Sequence, residues 1–506
     1  MQAETIVVGA GSSGAVIAAR ATERADREVL LVEAGPDYPP RVTLPSDLVD
    51  GTRNSINAHD WGFSYFPMPG HKPFVYPRGK VVGGSSAVNT CIALRGQPYD
   101  YDEWAALGLP EWSFEKCLPA LKRLEDDQDV QNRWHGRGGP LPIRRHPPEE
   151  LAPFQVAFME ACRALGFPAC PDQNDPDPFG VGPQPMNKLG GVRMSAARCY
   201  LGEDVRRRDN LTIRPHTSVR RVLFHNGKVT GLEVETSGKI EVLATNHVVL
   251  AAGAIATPGI LIRSGIGPRD LLERLGVDVV SDIPAIGARL LDHPGSLALF
   301  VPRSYEFASI RHPLIQTVLR YTSEGSPFPS DMQLQPFSFF AWPGNYMPLV
   351  GISCCVGKPR GHGRITWTSA DPSAKPRIEL DIILHPDDRA CAVEAMELAG
   401  HVARTKPMRD LVVPFWPNDR VLRDRAEISR WIEWSSGSGY HPSGTVPMGP
   451  EGDPEAAVDG RGHVRGVSGL VVADASIMPT IVSTNTNVTA LMIGERFGEW
   501  LRDGGL

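Results

Sequence analysis

The first residues able to do chemistry are glycines. Gly9-x-Gly11-x-x-Gly14 follows the β-branched run Glu4-Thr5-Ile6-Val7-Val8 and precedes Ala15 to Ala25, which opens with helix formers. A turn without side chains lets the backbone pass close to a pyrophosphate. The helix that follows offers unpaired N–H groups and positive potential. Ser12 and Ser13 lie inside this turn. Val29-Leu30-Leu31-Val32 reads as a second buried strand, and Glu33 at its end can accept hydrogen bonds from ribose hydroxyls. Strand, turn, helix, strand and acid in this order define a dinucleotide site. They do not separate a nicotinamide from a flavin dinucleotide.

Two further glycine segments narrow the choice. Gly79-Lys80-Val81-Val82-Gly83-Gly84-Ser85-Ser86-Ala87-Val88-Asn89 is a turn rich in backbone donors, suited to a phosphate or a flavin edge. Val248-Val249-Leu250-Ala251-Ala252-Gly253 reads as a buried strand running into Ala254-Ile255-Ala256-Thr257-Pro258-Gly259, and the segment continues to Gly265-Ile266-Gly267. These segments resemble the first and second signatures of the glucose–methanol–choline (GMC) oxidoreductases. With the terminal segments the resemblance spans nearly the whole chain. It implies FAD as cofactor, with the isoalloxazine against Gly84, Ser85 and Asn89. Ala34, Val219, Ala252, Gly253, Asp474 and Ala475 are then expected to line the same site. Some family members tether flavin covalently through a histidine where this chain has Val88, which cannot form that bond, so non-covalent FAD is expected.

The same resemblance assigns the reacting pair. Tyr440-His441-Pro442-Ser443-Gly444-Thr445-Val446-Pro447-Met448-Gly449 is similar to the family's histidine loop, and Asp474-Ala475-Ser476 leads on to Ser483-Thr484-Asn485-Thr486-Asn487. In the family the histidine and the first Asn flank flavin N5. An alcohol must lose its hydroxyl proton as its carbon-bound hydrogen leaves as hydride, and neutral imidazole suits that proton near pH 7. The Asn485 amide can donate to the same oxygen and stabilise developing alkoxide charge. Asn487 is expected to meet the flavin ring. His293, in Asp292-His293-Pro294, is expected to be structural, as buried hydrogen-bonded histidines commonly are.

Choline-oxidising relatives carry a glutamate after that Asp-His-Pro element, where this chain has Gly295. Their second substrate histidine aligns with Gln335. Without an acid the pocket has little means of holding a fixed cation. Phe337, Phe339, Phe340, Trp342 and Tyr346 suit an apolar or planar primary alcohol, aryl, furanic or aliphatic. The electron acceptor, dioxygen or a quinone or carrier, is not legible from Gly439, two residues before His441. A choline-type dehydrogenase and a non-redox FAD-containing lyase remain the alternatives.

The elements that must position these residues are those of an α/β fold. A Rossmann-like FAD-binding domain is expected from discontinuous pieces (1–155, 195–295 and 436–506). A substrate-binding domain of α+β type with an antiparallel sheet is expected from 156–194 and 296–435. At 506 residues two domains are the default. Residues 36–78 read as irregular coverage, and Asn226-Gly227 as a hairpin turn. The 52 basic against 58 acidic residues give no pull toward nucleic acid or anionic membrane. No apolar stretch reaches the ~18–20 residues of a membrane span, and no signal peptide precedes the glycine turn. Eight cysteines without CxxC spacing read as buried thiols, which suits a cytoplasmic location. No metal site is expected, and the sequence carries no reading of oligomeric state.

Overall fold

In the computed structural model the described residues are 3–56, 58–304, 307–341 and 348–506. Trp342 and Tyr346 lie outside them. In chain order the elements used below are β1 (Thr5–Val8), α1 (Ser12–Ala21), β2 (Val29–Val32), α2 (Pro153–Ala164), β3 (Gly180–Pro183), β4 (Leu211–Arg214), β5 (Thr217–His225), β6 (Lys228–Thr236), β7 (Lys239–Ala244), β8 (Val248–Leu250) and α3 (Gly253–Arg263). There follow β9 (Pro294–Pro302), β10 (Thr317–Tyr321), β11 (Met332–Ala341), β12 (Pro348–Val356), α4 (Pro386–Arg404), β13 (Val412–Trp416), β14 (Leu470–Val472) and α5 (Asn487–Asp503).

Five short strands form a parallel sheet in the order β4-β2-β1-β8-β14. Every residue of β1, β2, β8 and β14 is buried, as expected for strands covered on both faces. Its strands come from the start, middle and end of the chain, so the dinucleotide fold is assembled from separated segments. Helix α5 returns the C-terminus to α1. Gly494 and Gly498 permit this approach, because a Cβ at either would lie 2.7 Å from Ser13 O or Arg20 Cβ. Strands β5, β6 and β7 form a separate antiparallel sheet, and Asn226 and Gly227, both at positive φ, make the two-residue turn between β5 and β6.

The second sheet is antiparallel, in the order β13-β9-β12-β11-β10-β3, with Gly437–Ser438 also pairing against the start of β9. One face packs on α4, where the even-numbered Ala298, Phe300, Ile352 and Cys354 are buried. The opposite, odd-numbered face is turned to the interior cavity described below. The adjacent Cys354 and Cys355 therefore point to opposite sides: Cys354 Sγ meets Ala395 O of α4, and Cys355 lines the cavity. All eight cysteines are free thiols. Residues 36–78 hold more structure than their Pro-rich texture suggests, since Phe63–Tyr65 and Phe74–Tyr76 pair as a hairpin. No helix among the described residues is long and apolar enough to cross a membrane.

A buried charge network joins Arg95, Glu125, Asp127, His135, Arg145 and Asp172 in the segment after the second glycine turn. His135 lies between Glu125, Asp127 and Asp172, at 2.9–3.0 Å, while Arg95 pairs with Glu125 and Arg145 with Asp127 and Asp172. Glu125, Asp127 and His135 have the spacing of a metal-ligand group. Three cations already face the three carboxylates, so the set is balanced without an ion. Burial works against the charge on His135, but its bonds to Asp127, Asp172 and Glu125 prevail and raise its pKa to about 10. A raised folded pKa means this stabilisation is complete below the unfolded value of about 6.5 and lost as pH climbs through about 10. His135→Gln should cost about 3–5 kcal/mol at pH 6, with the deficit shrinking toward pH 10, as measured by denaturant unfolding.

Candidate active site

A single cavity of about 1330 Å³ runs from the Gly9 turn, between the two sheets, to the loop bearing His441. Gly9, Gly11, Ser12, Ser13, Glu33, Ala34, Gly84, Ser85, Asn89, Val219, Ala252, Gly253, Asp474, Ala475, Asn485 and Asn487 all line it, as does His441. Of the residues expected here, Gly14 alone is not in the wall. A Cβ on Gly14 would lie 1.8 Å from Gly9 O, so this glycine lets α1 pack on the turn.

At one end, α1 begins at Gly11 with no side chain capping it, which leaves its first N–H groups for a ligand. Gly84 (φ +54°) comes so close to Gly11 that a Cβ would sit 2.6 Å from its Cα, and this contact closes the two glycine turns together. Glu33 is buried and accepts bonds from Ala10 N and Gly35 N, both 2.9 Å, which shape the turn and leave acceptor capacity free. Burial lifts its pKa to about 7. Asp474 joins β14 to α3 by accepting from Gly253 N (2.8 Å), Thr257 Oγ1 (2.6 Å) and Ser476 N (2.8 Å).

Residues at the start of α5 point back toward the same space. Asn487 Oδ1 accepts from Ser12 Oγ at 2.8 Å, while its Nδ2 is enclosed with no partner among the described residues. Asn485 Oδ1 is likewise enclosed and unpartnered. Buried polar atoms are normally paired, so a donor and an acceptor left open on a cavity wall fit a polar ring system such as a flavin. Asn89 has a divided role: its Oδ1 accepts from Cys91 N at 2.9 Å, holding its own turn, and its side chain still borders the cavity.

At the other end Asn485 Nδ2 lies 3.0 Å from His441 Nε2. The loop's position follows from Asp292, whose Oδ1 accepts from His441 N and His293 N (both 2.8 Å), and whose Oδ2 accepts from Tyr76 and Ser438 hydroxyls. His293 is buried and hydrogen-bonded, as expected of a structural residue, and one of its bonds goes to His441. It is 1% exposed, its Nε2 is 2.8 Å from Val482 O, and its Nδ1 is 2.8 Å from His441 Nδ1. A carbonyl only accepts, so Nε2 of His293 carries the proton and, in the neutral ring, Nδ1 is a lone pair. His441 must then donate from Nδ1, which leaves its Nε2 as a lone pair facing Asn485. Gly439 makes room for this contact, because a Cβ there would stand 3.1 Å from His441 Nδ1 and 3.2 Å from His293 Cβ.

Removal from bulk water, then the neighbouring His293 and Arg78, hold the pKa of His441 well below that of ordinary imidazole. Burial also lowers that of His293. Both rings are thus neutral near pH 7.

With this geometry in place the comparisons give the family. Models of the GMC oxidoreductases match residues 3–295 and 359–494. The chain belongs to the GMC oxidoreductases, FAD flavoproteins that act on the CH–OH group of alcohols. It is 33% identical to 5-(hydroxymethyl)furfural oxidase of Methylovorus sp. (strain MP688), covering 98% of this chain and 97% of that one. It is 32% identical to an oxygen-dependent choline dehydrogenase of Photobacterium profundum, covering 97% and 91%. The crystal structure of pyridoxine 4-oxidase from Mesorbium loti superposes with a TM-score of 0.90 at 28% identity over 98% of both chains.

Replacing Gly84 by Ala forces a Cβ against Gly11 from a left-handed conformation. The purified variant should carry several-fold less flavin than wild type, read from the ratio of visible to protein absorbance. Equal flavin content would show that the two turns do not form the cofactor cradle.

Proposed function

We propose that this protein oxidises a neutral primary alcohol, aryl, furanic or aliphatic, to the aldehyde, with His441 as base and Asn485 as the hydrogen-bond donor to the alcohol oxygen. The observation that carries the reading is the unprotonated Nε2 of His441, 3.0 Å from the Asn485 amide in the wall of the cavity. Bound FAD supplies the two-electron acceptor for the hydride. The alcohol oxygen would replace the direct His441–Asn485 contact, giving its proton to Nε2 while the Asn485 N–H stabilises the charge left on oxygen. Proton and hydride together balance the two-electron oxidation of the carbinol. Regeneration by dioxygen or by a quinone or carrier completes the cycle.

The wall supports a neutral substrate. Across the sheet Gly295, Cys355 and Gln333 form one row in register, which holds no carboxylate. A side chain at 295 would fit, its Cβ meeting nothing closer than Gly437 O at 3.8 Å. The cationic Arg78 lines the cavity and bonds Tyr440 O at 2.8 Å. A quaternary ammonium would thus meet an aromatic hairpin (Trp61, Phe63, Tyr65 and Phe74) but no compensating acid on that row. The choline-type reading rests on that aromatic surface and on the relatives named for choline. We further read the cofactor as non-covalent, since Val88 borders the cavity where a tethering histidine would stand, and the location as cytoplasmic, given eight free thiols.

Anaerobic addition of benzylic or furanic alcohols should bleach the flavin faster than choline does, and air should restore the colour if dioxygen is the acceptor. A flavin that stays yellow with every alcohol would favour a non-redox role. Acid precipitation should release the flavin into solution. His441→Ala should slow flavin reduction by roughly 10²–10⁴-fold. A base must be deprotonated, and its pKa is lowered, so the reduction rate should hold from pH 8 to below 6.5 and fall only at more acid pH. A limb centred at or above 6.5 would remove His441 from that role.

A further inference from the structure

The cavity face of the second sheet is built in rows. Below the row of Gly295, Cys355 and Gln333 comes Leu297, Ser353 and Gln335, and then Leu299, Gly351 and Phe337, each set paired in register across β9, β12 and β11. Gln333 and Gln335 follow each other on one face of β11, since alternate residues of a strand share a side. Their amides are chained. Gln333 Nε2 donates to Ser483 O at 3.0 Å, and Gln335 Nε2 donates to Gln333 Oε1 at 3.2 Å.

The direction of this chain is fixed at its root. Ser483 O can only accept, so Gln333 must offer its amino group there and its oxygen to Gln335, and Gln335 Oε1 is left over. Gln335 is 8% exposed and lines the cavity, and its Oε1 has no hydrogen-bond partner among the described residues. The Ser353 hydroxyl, its neighbour in the row, lines the cavity and is likewise unpartnered. Leu297 and Phe337 flank them. Ser483 lies two residues before Asn485, so the chain is rooted in the same turn as that amide.

We propose that Gln335 and Ser353 form a subsite for a second hydroxyl of the substrate, remote from the carbinol that is oxidised. A hydroxyl satisfies both groups at once, donating to Gln335 Oε1 and accepting from Ser353 Oγ–H. A carbonyl satisfies Ser353 alone, and a methyl satisfies neither. The substrate class is therefore a neutral diol or hydroxymethyl compound with an apolar body. This rests on the alcohol-oxidation reading above and adds its specificity.

The test is a matched pair, 1,4-benzenedimethanol against 4-methylbenzyl alcohol, followed by anaerobic flavin reduction in the holoenzyme. Wild type should favour the diol in kcat/KM by roughly tenfold or more, beyond the twofold that its two equivalent carbinols give statistically. Gln335→Leu should bring the ratio close to two by slowing the diol while sparing the methyl compound, and Ser353→Ala should lower it in part. Reduction by both alcohols at a wild-type ratio near two would overturn the subsite and leave the alcohol reading standing. So would equal losses on both substrates in Gln335→Leu, which would mean the residue only props Gln333 and the Ser483 turn. If no alcohol reduces the flavin, the alcohol reading fails and the subsite fails with it.

Discussion

A backbone carbonyl sets the chemistry of the site. Val482 O accepts and cannot donate, and that one-way bond fixes the proton on His293 Nε2, the proton on His441 Nδ1 and the lone pair on His441 Nε2. A histidine left to itself divides between two neutral tautomers, only one of which has a base at the atom facing Asn485. Here the selection is made by hydrogen bonds to two other segments of the chain. The loops carrying His293 and His441 are held in register by one further group, the Asp292 carboxylate, which receives both of their backbone N–H groups.

The same turn, Val482 to Asn487, does a second job. Ser483 N and Oγ donate to Asp100, whose other oxygen is paired with the buried Lys358. Ser483 O holds Gln333. His441, Asn485 and the polar row of the second sheet are thus referred to one short stretch of backbone. Displacing that stretch would move all three together.

What was legible in the sequence follows from how local the constraint is. The Gly9 turn, Glu33 and the Gly84 contact are dictated by close backbone approach, and a position that excludes Cβ shows itself as glycine. The glycines of the nucleotide end of the cavity could be read in this way, with Gly14 serving packing rather than the wall, whereas Val219, Ala252, Asp474 and Ala475 came only from the family resemblance and His216, Thr217, Ser218 and Glu235 of the wall were not anticipated. His293 is buried and hydrogen-bonded as expected, but its link to His441 was not legible, because a histidine in an Asp-His-Pro turn has the same local signature whether it supports a loop or a second imidazole, and its partner lies 148 residues away. The aromatic run of β11 was only partly legible. Strand alternation puts Phe337 on the cavity side and would put Phe339 there too, but the register shift between Phe337 and Phe340 brings Phe340 to the wall in place of Phe339. Gln335, two residues before Phe337, carries no pattern that marks it. Its free oxygen emerges only from the polarity of a chain that begins at Ser483.

Base strength and substrate charge are coupled in such a cavity. Enclosure, a neutral imidazole beside it and the guanidinium of Arg78 all disfavour the protonated form of His441. A carboxylate placed at Gly295 to hold a cationic alcohol would act in the opposite sense, favouring imidazolium. A bound cation would offset that effect. On the proposed reading, a row with no acid leaves His441 unprotonated without help from a bound cation and offers no electrostatic capture of the substrate. Recognition must then come from shape and from neutral hydrogen bonds, which is the kind of wall that Leu297, Phe337, Ser353 and Gln335 present.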